Sequence, residues 1–207
     1  MGRKLKYAPQ PFAYPTTPHV RRHGPFGYKD YESYRDWLRD DFSFRCVFCL
    51  KREQWDVVLG NWDIDHFIPQ CIDLAGKLNY ENLLYVCHCC NNIKSNRLVL
   101  NPCQIAFGKC IVVNDDGRIA ALNEDGETLI EQLRLNNEGY TRYRHLIINT
   151  LRSLAKYGEK ETLALWMRYP EALPDLSKHK PPGNSKLDGV GDCHYARRMR
   201  GDLSETY

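Results

Sequence analysis

The chain has 207 residues, 43% of them hydrophobic, and a formal net charge of +3. This length and composition predict one domain with a packed core, with at most a small appendage. No apolar run is long enough to cross a bilayer, so we expect no membrane partner. The odd number of cysteines, nine, and the lack of a secretory signal pattern favour reduced thiols in the cytoplasm over a disulfide framework.

The charge is unevenly distributed along the chain. Residues 1–29 carry a net charge of +6, residues 176–207 carry +2, and the remainder is acidic at −5. We therefore predict a basic N-terminal arm over residues 1–29, which is either loosely packed or contacts phosphate groups. Its basic residues include Arg3, Lys4, Lys6, Arg21 and Arg22.

Residues 30–100 form the predicted core segment. Apolar spacing predicts a helix over residues 30–41, and the pattern of residues 55–65 predicts a hairpin that turns near Gly60-Asn61. This hairpin would place His66 at the end of a strand. A loop is expected over residues 67–79 and a second helix over residues 88–97.

Residues 101–168 form a predicted scaffold of one hairpin and several helices. The hairpin joins residues 109–113 to residues 118–122, and Asp125-Gly126 marks a further turn. Helices are predicted over 127–135, 139–157 and 159–168. For Arg142, Arg144 and His145 on the second of these helices, a solvated face is favoured over a DNA-binding face.

Residues 169–207 are rich in Pro and Gly and carry three arginines near the end. We expect an irregular basic tail that runs over the surface. Tyr195 and Tyr207 are the side chains expected to anchor it.

Two Cys-x-x-Cys pairs, Cys46/Cys49 and Cys87/Cys90, are the strongest motif in the chain. Four thiolates in two such turns complete a tetrahedral zinc site of the structural kind. Cys89 is an alternative to Cys90, although Cys-x-Cys spacing suits a single metal less well. The remaining thiols of Cys71, Cys103, Cys110 and Cys193 are expected to be ordinary reduced cysteines.

Polar residues with hydrolytic potential lie between and just after the cysteine pairs. His66 has a pKa near neutrality and suits a general base, and Asp65 and Asn91 offer oxygen ligands to Mg²⁺. Asn82 is expected to hold either the loop or the imidazole, and Lys94 to touch a phosphate group. Each residue alone has an ordinary structural explanation, but the combination favours phosphodiester hydrolysis.

The whole constellation resembles the HNH (ββα-metal) endonuclease family in its four-cysteine form, C-x-x-C … D-H-x-x-P … N-L … C-x-x-C-N-x-x-K. The resemblance covers residues 43–97. The matching residues are Cys46, Cys49, Asp65, His66, Pro69, Asn82, Leu83, Cys87, Cys90, Asn91 and Lys94. It implies an α+β fold with a ββα-metal core, His66 as general base and Asn82 orienting it. It also implies that Asp65 and Asn91 bind the catalytic ion; these two residues stand where other members have His, a variation that the family accepts.

The resemblance leads us to expect an endonuclease that cuts DNA with a structural Zn²⁺ and a catalytic Mg²⁺ or Mn²⁺. The alternative is a non-catalytic zinc module that binds nucleic acid or protein, which would need only the four cysteines. Because phosphate affinity comes from Lys and Arg, the acidic body predicts weak DNA binding alone. We therefore expect a protein partner, such as an ATPase or guide complex, as for nuclease effectors of prokaryotic antiphage or restriction-like systems.

Overall fold

The computed structural model describes residues 10–55 and 62–207. The predicted α+β class is confirmed, because these residues form helices together with three small antiparallel sheets of two strands each. The strands are β1 (Pro25–Phe26), β2 (Trp62–His66), β3 (Leu83–Cys87), β4 (Ile111–Val113), β5 (Ile119–Ala121) and β6 (Gly183–Asn184). The helices are α1 (Arg35–Asp41), α2 (His88–Lys94), α3 (Glu124–Gln132), α4 (Glu138–Tyr157), α5 (Lys160–Met167), α6 (Asp188–Gly191) and α7 (His194–Arg200).

The β2–β3–α2 unit lies in the main core. Strands β2 and β3 are antiparallel, with Asp65 opposite Leu84 and His66 opposite Leu83. Every residue of β3 is buried, because both α1 and α2 pack against it. The turn of the hairpin predicted over residues 55–65 falls on residues 56–61, outside the described residues; the described partner of β2 is β3.

Helix α1 brings the chain to the first cysteine pair. A 3₁₀ turn precedes it, and the Asp30 side chain caps that turn by accepting a hydrogen bond from Ser33 N at 3.0 Å. The helix ends at Asp41, and both Ser43 and Phe44 then adopt positive φ angles of 53° and 57°. This left-handed step reverses the chain direction immediately before the metal-binding segment.

Strands β4 and β5 form the hairpin that the sequence predicts, with Val112 opposite Ala120. The turn predicted at Asp125-Gly126 is wrong, since both residues lie in α3. Asn123 caps this helix by accepting a hydrogen bond from Gly126 N at 2.9 Å. Glycine is required there for another reason: a Cβ would collide with the carbonyl of Cys110.

Helix α4 has the predicted extent, and Gly158 ends it with a left-handed φ of 78°. The prediction of a solvated face is wrong for Arg144, which is buried, whereas Arg142 and His145 are exposed. The Arg144 guanidinium donates to the carbonyl oxygens of Gly117 at 2.6 Å and Leu135 at 2.7 Å. No helix among the described residues, α4 included, combines the length and apolarity needed to cross a bilayer.

The two ends of the described chain meet on the body. Strand β1 pairs with β6, which places Pro25 opposite Asn184. The C-terminal segment, expected to be irregular, also contains α6 and α7. Its last residue, Tyr207, is anchored as predicted: the ring stacks on Tyr169 at 4.1 Å, and the Arg52 guanidinium lies 4.1 Å from the ring centroid.

Candidate metal centre and adjoining pocket

Four buried cysteines converge at the base of the β2–β3–α2 unit. The sulfur atoms of Cys46, Cys49, Cys87 and Cys90 all lie within 4.8 Å of one another. The Cys49 and Cys87 sulfurs are 3.7 Å apart, close to the roughly 3.8 Å expected for two sulfurs on one tetrahedral zinc ion. Cys89 is exposed. Cys90 is therefore the fourth member, and the donor set fits a structural metal such as zinc.

Local backbone geometry positions each of the two cysteine pairs. At the first pair, Leu50 N donates to the Cys46 carbonyl at 2.9 Å and Leu50 has a positive φ of 58°. A hydrogen bond of 3.1 Å from Val47 N to the Tyr85 carbonyl ties this turn to β3. The β3–α2 junction carries the second pair, so a metal would join the turn, the strand and the helix.

The four thiols of the cluster influence one another's ionisation. Hydrogen bonds from Cys46, Cys49 and Cys90 hold the pKa of the Cys87 thiol far below its usual range. Hydrogen bonding with Cys46 raises the pKa of both Cys49 and Cys90. One thiolate is thus stabilised while further negative charge is opposed, a conflict that a bound cation removes. The Tyr140 hydroxyl lies 3.4 Å from the Cys90 sulfur and supplies a polar neighbour.

An open polar pocket of about 430 Å³ lies beside the cysteine cluster, between β2 and α2. Asp65 and His66 reach it from the end of β2, and Asn91 reaches it from α2, one residue after Cys90. Its lining residues are Tyr31, Ile64, Asp65, His66, Pro69, Gln70, Asn91, Asn92, Ser95 and Asn96. The three residues predicted to act on a phosphodiester therefore share one cavity.

The imidazole of His66 is held in a defined tautomer. Its Nε2 lies 3.0 Å from the Lys77 carbonyl oxygen, which can only accept, so Nε2 carries the proton. Its Nδ1 then accepts from the Gln70 amide at 3.2 Å. The Tyr31 ring packs edge-on at 4.9 Å. Burial lowers the pKa of His66, which favours the neutral ring with an unprotonated Nδ1.

Asp65 lines the pocket and has one carboxylate oxygen without a hydrogen-bond partner in the part of the chain that the structure describes. Its side chain is buried; Oδ1 accepts from Lys94 Nζ at 3.0 Å, whereas Oδ2 is buried without a hydrogen-bond partner in the described residues. Burial raises the pKa of Asp65 to about 6, although the Lys94 charge opposes that shift. A buried carboxylate oxygen without a partner is unusual, and it is the donor that Mg²⁺ or Mn²⁺ prefers. Asp65 therefore fits a divalent cation.

Lys94 has a different role from the predicted one. Its side chain is fully buried and donates to Asp65 Oδ1 and, at 2.8 Å, to the His66 carbonyl oxygen. The predicted phosphate contact is wrong, because an ammonium group enclosed on all sides cannot reach a substrate. Lys94 instead joins the end of α2 to the end of β2 and supplies the charge that faces Asp65.

Asn91 is held by a residue that the sequence did not single out. Its Nδ2 donates to Asp63 Oδ2 at 2.9 Å. Because a carboxylate only accepts, this contact fixes the amide with its nitrogen toward Asp63, and within residues 10–55 and 62–207 no identified hydrogen bond occupies its oxygen. Asp63 Oδ2 also accepts from His88 Nδ1 at 2.9 Å.

Asn82 holds the loop, which is one of the two roles considered for it. Its Oδ1 accepts from Ile68 N at 2.8 Å and its Nδ2 donates to the Ile68 carbonyl at 3.1 Å. Among the described residues, the His66 ring contacts the Lys77 carbonyl and no identified hydrogen bond joins it to the Asn82 side chain. The backbone carbonyl of Asn82 accepts from Phe67 N at 2.8 Å, and the orienting role implied for Asn82 stays a prediction.

Sequence reasoning missed three contributors to the site: the Lys77 carbonyl, the Gln70 amide and the Asp63 carboxylate. A backbone carbonyl carries no side-chain signal, so the first could not be found. Gln70 directly follows Pro69, but its type and position in the sequence do not indicate which group it contacts. Asp63 did carry a signal, because residues two apart on a strand share a face, and Asp65 was already a candidate.

Two of the three described Lys and Arg residues of the basic arm, Arg21 and Arg22, have internal partners, whereas Lys29 is exposed. The Arg21 side chain is buried, with Nη1 3.6 Å from Asp41 Oδ2 and the guanidinium 4.6 Å from the Phe42 ring centroid. Arg22 Nη2 donates to Asp40 Oδ1 at 3.0 Å. These two arginines are therefore not free to contact phosphate groups. Arg3, Lys4 and Lys6 lie outside the described residues.

Comparisons of this chain with known protein families, curated proteins and solved structures find no match.

Proposed function

We propose that this chain is a metal-dependent endonuclease of the HNH type that hydrolyses phosphodiester bonds of DNA. One observation carries the proposal: His66, Asp65 and Asn91 line a single pocket, and Asp65 has a carboxylate oxygen without a hydrogen-bond partner among the described residues. These groups are the base and the oxygen ligands that metal-assisted hydrolysis requires. A module that only bound zinc would need the four thiols and none of the three.

His66 is the proposed general base. With its Nε2 proton directed at the Lys77 carbonyl, its Nδ1 accepts a proton from water as the water oxygen attacks phosphorus. The new P–O bond forms as the bond to the 3′ oxygen breaks, and the 3′ oxygen leaves. Gln70 donates to Nδ1 in this structure, so the attacking water takes the place of that amide when substrate binds.

Asp65 and Asn91 are the proposed ligands of the catalytic cation. Asp65 Oδ2 and the Asn91 amide oxygen would hold Mg²⁺ or Mn²⁺, which supplies charge stabilisation for the phosphate and the departing 3′ oxygen. Lys94 supports this role by holding the other oxygen of Asp65. The described lining of the pocket contains no Lys or Arg, so little else in it would balance the charge of a phosphate.

The cysteine cluster is the proposed structural partner of this pocket. Cys87 ends β3 and Cys90 lies in the first turn of α2, one residue before Asn91. Zinc bound there would fix the start of α2 relative to β3, and hence the direction of the Asn91 side chain. Zinc would not take part in the chemical step.

A protein partner is also proposed, such as an ATPase or a guide complex in a prokaryotic antiphage or restriction-like system. Sequence positions 30–175 are net acidic, and Arg21 and Arg22 are engaged with Asp40 and Asp41. The basic groups of positions 30–175 are outnumbered by acidic ones, which weakens the attraction of this region for DNA phosphates. Efficient cutting by the isolated chain at physiological salt would contradict this part of the proposal.

A plasmid-nicking assay tests the function. The wild-type chain is compared with His66→Ala in Mg²⁺ and in Mn²⁺ at low ionic strength, and His145→Ala serves as the matched control because His145 is exposed on α4. We expect His66→Ala to lower the nicking rate by roughly 10²–10⁴-fold, the usual contribution of a general base. The control is expected to nick like the wild type, and EDTA to stop all activity.

Two outcomes would contradict the proposal. Nicking that survives in His66→Ala at the wild-type rate would remove His66 as the base. If the wild-type chain neither nicks DNA nor binds Mn²⁺ at low ionic strength, the metal-dependent nuclease itself is ruled out, and the binding-module alternative stands.

A further inference from the structure

We infer that Asp63 is a positioning residue that decides which atom of Asn91 faces the catalytic cation. The inference rests on the proposed function, since it concerns a ligand of the proposed metal site. Asp63 lies on β2 two residues before Asp65, so both carboxylates project from the same face of the strand toward α2. It does not line the pocket itself, and it acts through Asn91.

The geometry leaves Asn91 one orientation. Asp63 Oδ2 accepts from Asn91 Nδ2 at 2.9 Å. An ionised carboxylate has no proton to donate, so the amide nitrogen must face Asp63 and the amide oxygen must face away. Without this contact the terminal amide torsion is broad and roughly two-fold, and nitrogen and oxygen exchange places at little cost. An amide NH₂ turned toward a cation would repel it.

A hydrogen-bond chain holds Asp63 in place. The same Oδ2 accepts from His88 Nδ1 at 2.9 Å, and His88 Nε2 lies 2.9 Å from Asn92 Nδ2. Because the carboxylate only accepts, His88 carries its proton on Nδ1, and its Nε2 accepts from Asn92. Two lines of hydrogen bonds, one from Asn91 and one from Asn92 through His88, run from α2 to the same oxygen, Asp63 Oδ2 on β2. These hydrogen bonds keep Asp63 aligned with Asn91. They are also consistent with a purely structural role for Asp63, that of joining α2 to β2.

An exchange of functional groups separates these two roles. In Asp63→Asn, the new amide can donate to the Asn91 oxygen and so turn the Asn91 nitrogen toward the cation. In the double variant Asp63→Asn/Asn91→Asp, the carboxylate at position 91 accepts from the amide at position 63 and again directs an oxygen to the cation. The hydrogen bond between positions 63 and 91 exists in both variants, whereas an oxygen ligand is guaranteed only in the double variant.

Mn²⁺ binding to the zinc-loaded full chain, followed by electron paramagnetic resonance, is the primary readout, and plasmid nicking is the second. We expect Asp63→Asn to weaken Mn²⁺ binding by about 10- to 100-fold, the usual effect of losing an outer-shell partner. The double variant is expected to recover most of that loss. His145→Ala, which changes an exposed histidine of α4 outside this network, is the control and should bind Mn²⁺ like the wild type.

Zinc content and the urea-unfolding midpoint are measured on every variant, so that a misfolded protein is recognised. The inference is overturned if Asp63→Asn binds Mn²⁺ like the wild type. It is also overturned if the double variant, with zinc and fold intact, fails to recover Mn²⁺ binding. Either result leaves the proposed function standing, whereas a wild-type chain that binds no Mn²⁺ overturns both.

Discussion

Two regions of this molecule carry most of its buried polar chemistry, and they are assembled in different ways. The metal unit, defined as the cysteine cluster together with the adjoining pocket, takes its cysteines and its proposed catalytic residues from positions 46–94. The junction of the chain ends is centred on Asp40, whose Oδ1 accepts from His23 Nε2 at 2.7 Å and whose Oδ2 accepts from His194 Nδ1 at 2.8 Å. Its two histidine partners lie 17 and 154 residues away in sequence.

The difference lies in what makes each region stable. In the metal unit the ligands are pairs spaced for chelation, so the sequence pattern already describes the site. At the junction a fully buried carboxylate is neutralised by residues brought from both ends of the chain. Burial alone would raise the pKa of Asp40, but hydrogen bonds from His194 and His23 outweigh it and hold that pKa well below its usual range.

Removing one metal ligand should have the largest effect. Cys87→Ser takes one thiolate from the cluster, and we expect zinc to be lost together with the order of β3 and α2, since structural zinc contributes on the order of 10 kcal/mol to such sites. Zinc content by atomic absorption and thermal unfolding provide the measurements. Cys89→Ser is the control, because Cys89 is exposed and outside the cluster. Stoichiometric zinc in Cys87→Ser would contradict the four-cysteine site.

Breaking the junction should destabilise the fold without emptying the metal site. Asp40→Asn leaves His23, His194 and Arg22 without their anionic partner, and breaking a buried ion pair costs about 3–5 kcal/mol. We expect a lower urea midpoint with zinc content unchanged. Asp115→Asn, which removes an exposed pair with Arg152, should leave the midpoint almost unaltered. A midpoint for Asp40→Asn equal to that of the control would show that the junction contributes little.

A smaller effect is expected from pH, through His19 beside the junction. Burial lowers the pKa of His19 to about 4, against the nearby charge of Asp41. The unfolded chain therefore takes up this proton first as pH falls below about 6.5. The contribution of His19 to stability is complete above about pH 6.5 and is lost progressively between about pH 6.5 and pH 4.

Urea unfolding at a series of pH values measures this dependence. Zinc sites also weaken in acid because their thiols take up protons, so the decisive quantity is the difference between the wild type and His19→Gln. That variant keeps a polar side chain that does not titrate, and its stability should fall less steeply between about pH 6.5 and pH 4. Parallel curves for the two proteins would show that His19 contributes nothing to the pH dependence.

The sequence by itself determined much of the metal unit. The spacing of Cys46, Cys49, Cys87 and Cys90 identified the cluster, because chelating pairs are local features. Asn91 directly follows Cys90 in the sequence, and His66 directly follows Asp65. When the two cysteine pairs come together in the fold, Asp65, His66 and Asn91 line one pocket. Helix α4 and the β4–β5 hairpin were likewise predictable, because they depend on local sequence features. These are the apolar periodicity and capping residues of the helix and the turn residues of the hairpin.

The tertiary structure alone decided how the polar groups are paired. Lys94 looked like a surface lysine, yet it is buried against Asp65; the imidazole of His66 is hydrogen-bonded to a backbone carbonyl at position 77. The described parts of the two terminal segments, predicted to be a basic arm and an irregular basic tail, are held by Asp40 and Asp41. Local patterns report spacing along the chain, whereas a buried charge is stabilised by whichever opposite group the fold brings next to it, at any distance in sequence.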